Sequence, residues 1–442
     1  MAIQLSDHFT YKKLIRFTLP SVIMMVFTSI YSVVDGFFVS NFAGKTPFTA
    51  VNFIMPFLMI LGAIGFMFGT GGGALIAISL GEGDGERARR LFSMFVYVSS
   101  LCAVIVAGLG IVLLRPVAAW LGAEGRLLED CIVYGRIILL ALPAFVLQCE
   151  FQSFFITAEK PQLGLWVTVA AGATNMVLDL LFVAVFSWGL VGAAVATAIS
   201  QVVGGVVPIL YFSRPNSSLL RLTGMRFDGK ALLHACVNGS SELMSNISMS
   251  LVGMLYNFQL MKYAGEDGVA AYGVLMYVNF VFVAVFIGYS TGSAPIVGYH
   301  YGARNHGELR GLRQKSLVII GMISVAMVVL AELLARLLAE VFVGYDKTLF
   351  DMTLRGFLIC SFSFLFSGIA IWGSSFFTAL GNGLVSALIS FLRTLLFQVA
   401  AVMLLPLIWE LDGVWISVVI AELMATVVTL CFLFGLRKKY RY

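Results

Sequence analysis

The stretch FGTGGGALIAISLG at residues 68–81 recurs in altered form as YSTGSAPIVGYHYG at residues 289–302. The second stretch follows the first by half the length of the 442-residue chain. A Thr-Gly pair near the start and the final glycine are identical in the two copies. This half-chain offset indicates that one ancestral unit is present twice in the chain.

Three further segments repeat at the same offset, which is hard to obtain by chance. They are Ala43-Gly44 with Ala264-Gly265, SFFITA (153–158) with SSFFTA (374–379), and Leu190 and Gly192 with Leu411 and Gly413. The repeat predicts an N-lobe at 1–212 and a C-lobe at 231–442, joined by a linker at 213–230.

The composition is that of a membrane protein. The chain is 60% hydrophobic and 12% charged, whereas about a quarter of a soluble protein is charged. A helix crosses a bilayer with about 20 apolar residues, and twelve windows of that kind occur. They are 14–40, 48–80, 91–114, 132–157, 163–186, 189–212, 232–261, 268–299, 316–339, 350–379, 384–408 and 413–436.

These windows are continuously apolar, and the alternation expected of a β-barrel is absent from them. We therefore predict an all-α polytopic membrane protein, with twelve transmembrane helices in two six-helix lobes. An even number of helices in each half makes the repeats parallel, related by a pseudo-two-fold axis along the membrane normal. Such duplication with a cleft between the lobes is the usual plan of alternating-access transporters.

The charges predict the orientation of the chain. With both termini inside, the inner segments hold 19 of the 28 lysines and arginines, as the positive-inside rule requires. We expect a multi-pass protein of the inner (cytoplasmic) cell membrane, with cytoplasmic termini. The N-terminus shows no signal-peptide pattern, and the placement of the charges predicts no nucleic-acid partner.

Two carboxylates stand inside apolar segments: Asp35 in SVVDGFF and Asp179 in TNMVLDLLFVAV. At a rise of 1.5 Å per residue they lie about 9 and 14 Å from the outer ends of the first and fifth helices. Asn175 shares a helix face with Asp179. Burying a carboxylate at such depth costs about 2.5–3.5 kcal/mol. The three side chains can take up a proton or hold Na⁺, and the alternative is a packing hydrogen bond between helices.

Other polar and aromatic residues are candidates for a substrate path, against the alternative of packing between helices or at the interface. They are Gln148, Glu150, Gln152, Phe154, Asn238, Glu242, Asn246, Tyr256, Met261 and Tyr277. Arg393 and Glu422 are predicted to pair across two helices as a structural contact. Pro20 is either a hinge in the first helix or a helix-start proline.

The chain carries no nucleophile–base pairing, no HExxH motif and no metal cluster inside the spans. This excludes the common classes of membrane enzyme, and we expect no cofactor and no metal other than a coupling ion. We also expect a monomer, because the cleft lies within one chain.

Several motifs together resemble the multidrug and toxic compound extrusion (MATE) transporters, nearest to the DinF-like and MepA-like bacterial branch. They are SIYSVVDGFFVSNFAG (29–44), GTGGGALIAISLGEGDGERAR (69–89), NMVLDLLFV (175–183), WGLVGAAVATAISQ (188–201) and GYHYGARNHGELR (298–310). The resemblance implies two lobes in a V, ion-coupled export and cationic amphiphilic substrates. It also assigns the coupling site to Asp35, Asn175 and Asp179.

The chain departs from that family in two places. FFITAEKP stands where many relatives have an Arg-Ala-x-Gly signature, and the middle of the tenth helix lacks the carboxylate that some relatives carry there. We therefore expect an H⁺- or Na⁺-coupled antiporter that works through its N-lobe. The alternative is a flippase for a lipid-linked or amphiphilic substrate. Arg393 is the one cation well inside a helix, which weighs against a pyrophosphate-binding cleft.

Overall fold

The structure is a computed structural model that describes residues 3–442, apart from the side chains of Ser40 and Lys45. The described residues form helices and turns, without strands. Ten spans are α1 Tyr11–Ala43, α2 Thr46–Gly81, α3 Gly85–Trp120, α4 Gly125–Thr157, α5 Pro161–Val185, α6 Gly189–Ser213, α9 His306–Val343, α10 Lys347–Ala379, α11 Gly383–Leu404 and α12 Pro406–Gly435.

The remaining two spans, α7 (229–264) and α8 (266–302), follow each other without a loop. Gly265 breaks the helix between them with a φ of 63°, a conformation that glycine adopts without steric cost. A short helix, α13 Arg437–Tyr440, ends the chain. The predicted all-α architecture of twelve spans in two lobes is confirmed.

Several helices extend beyond the predicted windows because polar caps determine where they begin. α3 starts at Gly85, where the predicted window starts at residue 91, since Asp84 Oδ1 accepts a hydrogen bond from Arg87 N at 2.9 Å. Asn305 Oδ1 caps α9 in the same way, by accepting from Glu308 N at 3.1 Å. The apolar windows thus mark the lipid-embedded part, and the caps lie outside it.

The backbone of the turns repeats at the same half-chain offset as the sequence. Positive φ angles occur at three pairs of positions that the repeat makes equivalent: Gly44 and Gly265, Gly83 and Arg304, and Gly189 and Glu410. Residues with a side chain adopt this conformation less easily than glycine. The same turn geometry therefore persists in the C-lobe where its sequence no longer favours it.

The two lobes come closest where α2 crosses α8. A Cβ on Gly81 would overlap the carbonyl oxygen of Tyr299, and a Cβ on Gly302 would overlap that of Ile78. Gly81 and Gly302 occupy equivalent positions in the repeat. Small residues let helix backbones approach this closely inside membranes.

A second close crossing joins α2 to α7, where Gly71 and Gly239 leave no room for a Cβ against the facing backbone. Both crossings lie on the side of the protein that carries the two chain ends. We call the halves of the helices on this side the inner halves. In the outer halves, a Cβ on Gly36, Gly253 or Gly273 would meet no atom within 4 Å. The lobes therefore meet at the inner face and diverge toward the outer one.

The N-terminal segment covers the joint between the lobes at the inner face. Leu5 N donates to Glu159 Oε1, in the turn between α4 and α5, at 2.5 Å. Phe9 N donates to Glu308 Oε1 of α9 at 2.8 Å, and His8 Nδ1 lies 2.6 Å from Glu308 Oε2. One short segment thus contacts both lobes.

We expect Gly81→Ala to destabilise the protein, because the added methyl group meets backbone atoms that cannot turn aside. Overpacking of this kind costs about 1–3 kcal/mol. The matched control is Gly108→Ala in α3, where a Cβ meets nothing within 4 Å. Thermal unfolding in detergent measures both variants. A midpoint for Gly81→Ala equal to that of Gly108→Ala would contradict the close crossing.

Candidate functional site

The N-lobe brings Asp35 of α1 together with Asp179 and Asn175 of α5. Asp179 is 0% exposed and Asn175 is 2% exposed. The carboxyl groups of Asp35 and Asp179 face each other, and the Asn175 amide lies beside Asp35. Both oxygens of Asp179, Oδ1 of Asp35 and Oδ1 of Asn175 are buried, and no described residue donates a hydrogen bond to them. The site is therefore a cluster of acceptor oxygens that needs a positive charge or a proton.

Each aspartate stands shortly before a wide helical turn. Asp179 immediately precedes a π-helical turn at Leu180–Val185, and Asp35 lies four residues before another at Val39–Ala43. A π turn inserts one extra residue and interrupts the regular hydrogen-bond ladder, and such turns are frequent at functional sites. The two helices thus carry a local irregularity close to the carboxylates.

Three further polar residues surround the pair, and the sequence interpretation did not find them. Asn175 Nδ2 donates a hydrogen bond to the hydroxyl oxygen of Thr197 in α6, at 3.4 Å. Tyr31 of α1 and Tyr134 of α4 lie within electrostatic reach of the aspartates. Thr197 is one of two hydroxyl residues, with Ser200, in the small-residue stretch VGAAVATAISQ (191–201), and its position in that stretch does not predict a role in ion binding.

The chemistry of these donors suits a hard cation or a proton. Carboxylate, amide and hydroxyl oxygens are the ligands that hard metal ions prefer. A proton shared between Asp35 and Asp179 would equally provide the missing donor, because a protonated carboxyl group has one O–H. The orphaned oxygens therefore fit either H⁺ or Na⁺.

The polar residues of α4 lie inside the N-lobe. Glu150 is 0% exposed. Ser99 Oγ donates to its Oε2 at 2.5 Å, and no described residue bonds its Oε1. Gln148 fills the space above Gly204, where a Cβ would come within 2.6 Å of the amide carbon. Gln152 is also buried. In this conformation none of the three lines an open surface.

Phe154 belongs to an aromatic core. It is 0% exposed, and its ring lies 5.3 Å from Phe92 and 6.3 Å from Phe151, edge to face. Edge-to-face pairs at these distances stabilise packing. The structure therefore places Phe154 in the packing role that was the alternative to a substrate path.

The C-lobe candidates fall into two groups. Asn238 and Tyr256 are buried and hydrogen-bonded, to Thr378 O at 2.8 Å and to Gln398 Oε1 at 2.7 Å. Met261 and Tyr277 are 53% and 43% exposed on the outside of the protein. The first pair holds helices together, and the second faces lipid or the cleft.

Glu242 of α7 is half-buried, and its carboxylate accepts no hydrogen bond from a described residue. Asn246 Nδ2 donates to the backbone oxygen of Glu242 at 2.8 Å. Arg393 and Glu422 pair as expected, because Arg393 Nε lies 3.1 and 2.9 Å from the two oxygens of Glu422. Of these two C-lobe carboxylates, that of Glu422 is paired and that of Glu242 accepts no hydrogen bond from a described residue.

The equivalent of the aspartate pair in the C-lobe is neutral. Tyr256 occupies the position that the repeat makes equivalent to Asp35, and its hydroxyl donates to Gln398 of α11. A tyrosine and an amide satisfy each other without an added ion. The orphaned acceptor cluster is therefore a feature of the N-lobe.

Pro20 lies inside α1, well beyond the first turn of a helix that starts at Tyr11, and it is buried. This position excludes the helix-start alternative. A proline there removes one backbone hydrogen bond from the helix, so the hinge remains a prediction.

We expect Ser99→Ala to lower the free energy of unfolding by about 1–3 kcal/mol, because it leaves a buried Glu150 oxygen without a partner. Ser100→Ala is the matched control, since among the described residues Ser100 Oγ bonds the backbone oxygen of Val96 alone, at 2.6 Å. Thermal unfolding in detergent reports both variants. Equal midpoints would show that the Ser99–Glu150 hydrogen bond adds nothing to stability.

Comparison with known proteins extends over the whole chain. A family model described as MatE matches residues 20–181 and 243–403, one match in each lobe. Two relatives are both described as Multidrug export protein MepA, one from Staphylococcus saprophyticus and one from Staphylococcus aureus. Each is 23% identical, with 97% of this chain and 94% of the relative covered.

Solved structures share the fold. One described as an outward-facing conformation of a multidrug resistance MATE family transporter of the MOP superfamily has a TM-score of 0.92 at 24% identity. It covers 99% of this chain and 98% of its own. A MATE structure in complex with MaL6 also has a TM-score of 0.92 at 24% identity, over 98% and 97% of the two chains.

Proposed function

Because this chain belongs to the MatE family of transporters, we propose that it exports cationic amphiphilic compounds by alternating access, driven by H⁺ or Na⁺. Its relatives are export proteins, which confirms the predicted family and the prediction that it is not an enzyme. The multi-pass membrane location agrees with its apolar spans. The finer statement, ion-coupled antiport across the inner membrane by a monomer with cytoplasmic termini, is our proposal.

The orphaned oxygens of Asp35, Asp179 and Asn175 carry this proposal. Two ionised carboxylates facing each other at low dielectric repel strongly and lack hydration. One proton or one Na⁺ reduces the repulsion and replaces the missing hydration, which favours cation binding by the pair. An ion that binds here from outside and leaves to the inside would supply the driving force for export.

Coupling requires that the ion change the relative stability of two conformations. Neutralising the pair removes the repulsion between α1 and α5, and the π turns next to the aspartates give both helices room to repack. Pro20 supplies a bending point in α1. We infer that this repacking separates the lobes at their tight inner crossings. The space between the lobes would then open to the inner face and close to the outer one.

The substrate would bind between the lobes. The remaining sequence candidates on that path are Glu242, whose carboxylate accepts no hydrogen bond from a described residue, and Asn246 next to it. Asn238 is buried and donates to Thr378 O. A carboxylate attracts a cationic amphiphile, and the exposed Met261 and Tyr277 offer flexible and aromatic surface to its apolar part.

We expect Asp35→Asn and Asp179→Asn each to reduce gradient-driven transport of a fluorescent cationic dye by about tenfold or more, which corresponds to about 1.4 kcal/mol of transition-state stabilisation. Both variants keep the side-chain shape and remove the exchangeable charge. The protein is reconstituted in liposomes, and dye movement is followed under a proton gradient or a sodium gradient applied separately. The gradient that drives the wild type identifies the ion.

The matched control is Asp351→Asn, at an exposed position of α10, which should transport as the wild type does. Dye movement that survives both aspartate substitutions would remove the coupling role of the pair. A well-folded wild type that moves no dye under either gradient would contradict drug export and favour the lipid flippase.

A further inference from the structure

A small cavity lies between the two lobes, just outward of the place where they meet. Its lining comes from α2 and α4 of the N-lobe and from α8 and α10 of the C-lobe, and about 30 Å³ of it is open to the centre of a water molecule. Ala74 in its wall precedes Gly81 by seven residues of α2, so the cavity lies about 10 Å outward of the close crossing. It therefore forms the floor of the cleft.

Equivalent positions of the repeat supply much of the lining. Thr70 and Thr291, the threonines of the repeated Thr-Gly pair, both line the cavity, and so do Thr157 and Thr378. A site built from equivalent residues of both lobes lies on the pseudo-two-fold axis, and we call it the axial cavity. One group bound there would touch both lobes at once.

The hydroxyl groups of the axial cavity have lone pairs left to accept hydrogen bonds. Thr70 Oγ1 and Thr157 Oγ1 each donate to the backbone oxygen four residues earlier, at 2.9 and 3.2 Å, and Ser375 Oγ donates to Ser290 O at 3.3 Å. A hydroxyl has one proton and two lone pairs, so each of these oxygens can still accept. Among the described residues that line the cavity, none is charged. The site therefore suits a group that donates several hydrogen bonds.

Two helix C-termini favour a positive charge in the axial cavity. The α4 helix ends at Thr157 and the α10 helix ends at Ala379, and both residues line the cavity. The C-terminal end of a helix carries the equivalent of about half a negative charge, which acts within the last turn. One helix from each lobe thus attracts a cation to a site that has no carboxylate.

Glycine residues of α2 keep the axial cavity open but narrow. A Cβ on Gly73 would lie 3.4 Å from Thr157 Oγ1, an ordinary contact distance, and a Cβ on Gly69 would lie 3.2 Å from Ser153 Oγ. The space next to Gly73 thus accepts a group of the size of a methyl group. A primary ammonium group, –NH₃⁺, has that size, whereas a trimethylammonium group is much wider.

We propose that the axial cavity binds the primary ammonium group of a substrate through its hydroxyl oxygens. The three N–H donors of –NH₃⁺ meet acceptors from both lobes, and its charge faces the negative ends of two helices. A quaternary ammonium group has no N–H and is too wide to enter. The inference rests on the proposed export function and names a substrate class for it: amphiphiles that end in a primary amine.

The test compares two fluorescent amphiphiles that differ only at the amine: dansylcadaverine, a primary amine, and its N,N,N-trimethyl derivative. The intact protein in liposomes transports each compound under a proton or a sodium gradient, and the flux through protein-free liposomes is subtracted. We expect the wild type to have the lower KM for the primary amine. Thr70→Val with Thr291→Val keeps the shape of both side chains and removes two acceptors. It should raise the ratio of the KM for the primary amine to the KM for the quaternary compound about tenfold, the loss of hydrogen bonds to a charged group.

Further variants make the result specific. Gly73→Ala fills the cavity with a methyl group that meets side-chain atoms alone, at 3.4 Å and beyond, and it should raise the ratio in the same way. Thr70→Ser with Thr291→Ser retains both hydroxyls and should keep the wild-type ratio. The matched control is Thr429→Val, at a buried threonine outside the cavity whose Oγ1 donates to Ala425 O at 2.7 Å, and it should also keep the ratio.

An unchanged ratio in the Gly73→Ala variant or in the double valine variant, or a KM that rises equally for both compounds, would overturn the ammonium site. The axial cavity would then hold water alone. A wild type whose KM for the quaternary compound is equal or lower would also overturn the site, while the export function stands. Failure of the wild type to move either compound under either gradient would contradict the export function itself.

Discussion

The close crossing of α2 and α8, where only glycine fits, is the constraint on which the rest of the structure depends. Gly81 and Gly302 bring the backbones of the two lobes into contact near the face that carries both chain ends. Because the lobes are fixed there, they diverge toward the other face and leave a cleft between their outer halves.

The two lobes share a backbone but differ in their charge. The N-lobe places facing carboxylates at Asp35 and Asp179, whereas the equivalent positions in the C-lobe hold Tyr256, whose hydroxyl donates to Gln398, and Ala400. The C-lobe in turn carries Arg393, whose N-lobe equivalent is a glycine. The charges of the proposed ion site are therefore specific to the N-lobe, and the Arg393–Glu422 pair is specific to the C-lobe.

The twelve spans and their division into two lobes could be predicted from the sequence. Every span in lipid must be apolar and helical, and the repeat at a fixed offset marks the two halves. The approach of Asp179 to Asp35 was predictable, since a carboxylate at membrane depth has few stable environments. Thr197 and Tyr134 were not, because hydrophobicity does not determine how a helix is rotated about its axis. The same limit explains why Phe154 was a candidate for the substrate path although its side chain lies in an aromatic core.

The crossing of α2 and α8 is reciprocal: Gly81 meets Tyr299 as Gly302 meets Ile78. This is the isologous geometry of a symmetric homodimer, formed here within one chain. In a true homodimer every substitution occurs twice at the interface, whereas a duplicated chain can change one side and keep the other. Covalent joining thereby released each lobe from the symmetry of the pair, and a single cation such as Arg393 could arise on one side alone.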